Sequence, residues 1–92
     1  MSEDINTLTS FFKENIKFNW EVQVSRINGV GGYAITFSNI DCLTPSDLEE
    51  IESLLHIKAL KTLFYRLEPA HNYLRLTFIV YQLPHKNFIT EK

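Results

Sequence analysis

The sequence predicts an α+β fold, a two-layer sandwich in which two helices cover a four-stranded, mostly antiparallel sheet in the order αββαββ. Three observations predict it. Apolar residues recur first at helical spacing and then with a period of two, and the same switch occurs again in the second half of the chain. Turn-forming clusters, Asn28-Gly29-Val30-Gly31-Gly32 and Glu68-Pro69-Ala70-His71-Asn72, each divide a pair of alternating runs into a hairpin. Between the two hairpins, Thr44-Pro45-Ser46-Asp47 has the form of a helix start.

The first element is a helix over Asp4 to Lys17, with Ser2 or Asp4 as cap and Ile5, Leu8, Phe12 and Ile16 as its apolar stripe, widened by Phe11. From Phe18 the period becomes two: Phe18, Trp20, Val22 and Val24 alternate with Asn19, Glu21, Gln23 and Ser25, the pattern of a half-buried strand. After the glycine-rich turn, Tyr33, Ile35 and Phe37 alternate with Ala34, Thr36 and Ser38, completing a hairpin whose outer face is polar or small. The second helix begins at the capping residues, buries Leu48, Ile51, Leu54 and Leu55, and ends near His56 or runs on toward Leu63.

The second hairpin, Leu60 to Leu67 and Tyr73 to Leu83, is the centre of the reading. Placing Leu67 opposite Leu74 gives one nearly all-apolar face, with Tyr65 meeting Leu76 and Leu63 meeting Phe78. The other parity sets Arg66 against Arg75, Phe64 against Thr77 and Thr62 against Ile79. Phe64, Arg66, Tyr73, Arg75, Ile79 and Tyr81 therefore mark a second face that is mixed, where a solvated sheet face should be polar. Two facing arginines repel unless an anion lies between them, and Glu68, a partner's carboxylate or a phosphate would serve.

Composition bounds the function. A chain of 92 residues, 45% hydrophobic and 13% aromatic, holds one domain with a real core, with residues 84–92 read as a partly ordered tail. A formal charge of −2 gives no general attraction to a phosphate backbone or an anionic membrane. The single Cys42 makes no internal disulfide, the start lacks a signal-peptide pattern, and no run reaches the roughly 18 apolar residues of a membrane span, so an intracellular protein is expected.

The chemistry-bearing residues are read against their ordinary roles. His56, His71 and His85 are scattered and the thiol is isolated, so no metal site is expected. Cys42 lies in a strand-to-helix junction without a base beside it. Gly29-Val30-Gly31-Gly32 lacks the lysine and hydroxyl of a phosphate loop and leads into a strand, so no cofactor is expected. Asp47, Glu49, Glu50 and Glu52 spread over an exposed helix.

Three occupants suit the mixed face: the first helix or the tail carrying Phe88 and Ile89; a second copy or another protein; or single-stranded bases stacked on aromatic rings flanked by arginines. The expectation is a non-enzymatic protein-interaction module, homodimeric through this face or bound to another protein in a regulatory or inhibitory role. Single-stranded nucleic-acid binding by the same residues is the alternative.

Overall fold

The computed structural model describes residues 4–27 and 31–84. Its elements are α1 (Ile5–Asn15), β1 (Glu21–Ile27), β2 (Gly32–Ile40), α2 (Pro45–Ile57), β3 (Leu60–Ala70) and β4 (Tyr73–Gln82), the expected αββαββ order. All strand pairings are antiparallel, and the sheet runs β1-β2-β4-β3. The two hairpins are thus joined through β2 and β4, leaving β1 and β3 as the edges.

Both helices lie on one face. Leu8 and Phe12 of α1 and Ile51, Leu54 and Leu55 of α2 close over Tyr33, Ile35 and Phe37 of β2 and Leu76, Phe78 and Val80 of β4. Phe37 is the hinge of this core, meeting Phe12 edge-on at 6.0 Å and Phe78 edge-on at 6.1 Å, the geometry that ring quadrupoles favour. Because α1 sits here, it does not cover the mixed face.

The start of α2 is fixed by its sequence. Thr44 Oγ1 accepts the Asp47 amide at 3.1 Å, and Asp47 accepts the Thr44 amide at 3.0 Å, behind Pro45 at the first helical turn. Lys17, just beyond α1, reaches Asp47 at 3.3 Å, so the end of one helix is tied to the start of the other. The Thr44 amide, its hydroxyl and Lys17 hold the Asp47 carboxyl below its ordinary pKa despite the opposing effect of burial.

Several expectations shift. The first strand does not begin at Phe18: residues 17–20 turn, with the Trp20 amide donating to the Lys17 carbonyl at 3.1 Å, so Trp20 enters the core while Phe18 stands 99% exposed. Asp4 precedes α1 without a side-chain cap bond. α2 ends at Ile57 rather than running on, because Ala59 takes a positive φ of 58° and turns the chain into β3. The first hairpin's turn lies partly outside the described residues, as do Ser2 and the tail residues His85, Phe88 and Ile89.

The second hairpin has the largest correction. β3 continues through Glu68-Pro69-Ala70, and the loop is only His71-Asn72, with Ala70 opposite Tyr73. The whole register moves: Leu67 faces Leu76, Tyr65 faces Phe78, and Glu68 faces Arg75. Pro69 had suggested a break, but in a two-residue hairpin Ala70 and Tyr73 exchange the closing hydrogen bonds. Alternation then turns the nitrogen of Pro69 away from β4, where a missing donor costs nothing.

Candidate protein-binding face

The face opposite the helices is built by the alternation of β4. Leu76, Phe78 and Val80 point to the core, so Tyr73, Arg75, Thr77, Ile79 and Tyr81 line the outer face. β3 contributes across the ladder, with Lys61 beside Tyr81, Phe64 beside Ile79, Arg66 beside Thr77, Glu68 beside Arg75 and Ala70 beside Tyr73. All six residues expected at the site therefore lie on one surface. Phe64 is 58% and Tyr73 43% exposed, while Ile79 and Tyr81 are half-buried.

A bulge enlarges the apolar part of this surface. Thr62 pairs with Val80 and Phe64 with Ile79, so Leu63 and Phe64 share one partner. Leu63, expected inside against Phe78, follows an inward Thr62 and so joins Phe64 outside, 59% exposed. Nothing in the local sequence marks this insertion, because Thr62-Leu63-Phe64-Tyr65 alternates no worse with it than without it.

The expected arginine pair does not form. Glu68 stands between the two: Arg75 reaches its Oε2 through Nη2 at 3.0 Å and Nε at 3.1 Å, and Arg66 approaches Oε1 at 3.8 Å. Lys61 lies farther along the same face, so three cations stand against one carboxylate. Charge held the readable signal here: a register pairing Glu68 with Arg75 is better than one pairing two arginines.

Across β4 the surface steps down. Gly32 lies beside Tyr81, Ala34 beside Ile79 and Thr36 beside Thr77, the last pair with hydroxyls 3.3 Å apart. Beyond them β1 presents Glu21, Gln23 and Ser25. Small and polar residues fill one half of the outer face and large apolar ones the other.

The other residues singled out by sequence stay apart. Cys42 is exposed, and among the described residues no three His, Cys, Asp or Glu side chains gather as a metal site. Of the carboxylates near the start of α2, Asp47 is buried as a cap while Glu49, Glu50 and Glu52 are exposed. Among the described residues no helix is long and apolar enough to cross a membrane. No family model matches this chain, and a search of curated proteins finds no sequence match.

Proposed function

We propose that this chain is a non-enzymatic protein-interaction module that binds another protein through the outer face of β3 and β4. The observation that carries this reading is the cluster of Leu63, Phe64, Ile79 and Tyr81, flanked by Lys61 and Arg66, with Arg75 and Tyr73 farther along the same face toward the hairpin tip, on the face the helices leave bare. Large apolar groups at the centre with guanidinium groups at the rim form the pattern of a protein interface. The excess of cations favours a partner that offers carboxylates around an apolar patch over a second copy of the same face, whose like charges would meet.

Affinity capture from the native source tests it with paired variants. Ile79→Glu and Tyr81→Glu are expected to abolish capture of a specific partner, whereas Gln23→Lys and Thr36→Lys on the other half of the outer face retain it. Equal capture by all four overturns the assignment. Salt-dependent binding to a single-stranded oligonucleotide, lost in Arg66→Ala and Tyr73→Ala, would transfer the face to nucleic acid.

A further inference from the structure

The two edges of the sheet differ. β1 is a short edge whose exposed residues include Glu21, Gln23, Ser25 and Arg26, the kind of edge that resists pairing. β3 is an edge of 11 residues, and it exposes Leu63 and Phe64 on the outer face and Tyr65 and Leu67 on the helix side. Tyr65 at 48% and Leu67 at 45% exposure share a side with the core, pairing with buried Phe78 and Leu76, yet each stands about half open. The outer-face patch does not explain these two residues.

We propose that β3 pairs antiparallel with β3 of a second copy about a two-fold axis at Leu67, joining two sheets into one of twice the width. The inference goes beyond the face assigned above and does not depend on it. Its first support is the direction of the backbone. With Ala70 and Tyr73 closing the hairpin, residues 66, 68 and 70 bond to β4, and Tyr65, Leu67 and Pro69 turn their backbone groups outward. Leu67 then exchanges both bonds with its copy, and Tyr65 donates to the opposite Pro69 carbonyl. Pro69 returns no bond, so this register forgoes one bond at each end and keeps the two at Leu67 and one from each Tyr65.

The second support is charge. A two-fold antiparallel pair keeps each side chain on its own face, so residues of equal parity must meet. Centring on Arg66 sets two arginines face to face, and centring on Glu68 does the same with two carboxylates. Centring on Leu67 sets Arg66 opposite Glu68 twice, Leu67 against Leu67, Tyr65 against Pro69 and Phe64 against Ala70. Glu68 already holds Arg75 at 3.0 Å, while Arg66 stands off at 3.8 Å with its side chain 69% exposed. Across the new ladder the outer face would read Arg75, Glu68, Arg66, alternating in sign. Strand addition of this kind draws affinity from the main chain and register from the side chains.

Cross-linking in the full chain tests the register. Opposed residues in a hydrogen-bonded antiparallel pair have Cα atoms about 5.5 Å apart, within the roughly 4.4–6.8 Å that a disulfide spans. On a Cys42→Ser background, Leu67→Cys is expected to oxidise to a disulfide-linked dimer, and Gln23→Cys on β1 to remain single. A charge exchange tests the pairing without a covalent trap. Arg66→Glu and Glu68→Arg chains are each expected to sediment at the mass of one chain, and their mixture at twice that mass, because each acidic pair then meets a basic one. Leu67→Cys cross-linking no faster than the β1 control, or the mixture no more associated than its components, overturns the proposal. Leu67 points away from the outer face, so equal capture by all four face variants with the Leu67 cross-link intact would sink only the earlier reading, and selective capture without the cross-link only this one.

Discussion

The two hairpins occupy equivalent places, each giving an apolar inner face to the helices, but their outer faces differ. On β1 and β2 the outer residues are Glu21, Gln23, Ser25, Gly32, Ala34, Thr36 and Ser38, small or polar as water demands, with Ile27 at the end of β1 the apolar exception among the described residues. On β3 and β4 they are Phe64, Arg66, Glu68, Tyr73, Arg75, Ile79 and Tyr81. Folding accounts for the first and not for the second. The core is complete on one side of the sheet, since Tyr33, Ile35, Phe37, Leu76, Phe78 and Val80 are all sealed beneath the helices. Apolar groups on the far side add little to that core, and their exposure is the ground on which an interaction through this face is proposed.

The widest separation between the two sides should appear in stability. Phe78 is fully buried against Phe37, and Phe78→Ala is expected to cost about 3–5 kcal/mol in chemical denaturation through lost burial and a residual cavity. Phe64→Ser, one residue away across the sheet, loses only a cross-strand contact with Ile79 and should cost under about 1 kcal/mol. Equal costs would make the outer face a second core and end the contrast.

A smaller effect separates the helical layer from the bare face. Asp47→Ala removes the carboxylate half of the capping box and the Lys17 ion pair, while the residue-47 amide still donates to Thr44 Oγ1, with an expected loss of about 1–2 kcal/mol. Because the folded carboxyl titrates below its unfolded value, its contribution is complete above the ordinary aspartate range. It is lost as the pH falls through the depressed folded value. Wild type should therefore lose stability on acidification more steeply than Asp47→Asn, measured by thermal unfolding from neutral to acid pH. Parallel curves for the two chains would remove Asp47 from the account.

What was legible in the sequence follows the same division. The order of elements, the alternation of β2 and β4, and the capping box from Thr44 to Asp47 rest on local chemistry, and each stands in the fold. The six residues of the mixed face shared a surface under either register, because moving by two residues preserves which side each one occupies. Pairing was harder to read. Pro69 looks like punctuation until the neighbouring strand is known to bond only to alternate residues. The bulge at Leu63 and the positive φ of Asn39 near the end of β2 reflect how strands of unequal course fit together, which no short window records. Phe18 misled because alternation cannot tell a strand's first residues from a turn that precedes it.

The smallest predicted effect sets the two hairpin turns against each other. Gly31 has φ 62° and His71 φ 60°, the same left-handed backbone carried once by glycine and once by a side chain that resists it. Among the described residues a Cβ at Gly31 would meet nothing within 4 Å, so Gly31→Ala tests the backbone conformation and should cost about 1 kcal/mol. His71→Gly is the mirror experiment. It relieves backbone strain but gives the unfolded chain more freedom to lose, so the net gain should be a few tenths of a kcal/mol up to about 1. Opposite signs in thermal unfolding would show both turns governed by their own dihedral preference. A loss for His71→Gly would mean that the imidazole makes a contact worth more than the strain, and would move the comparison from the faces of the hairpin to its tip.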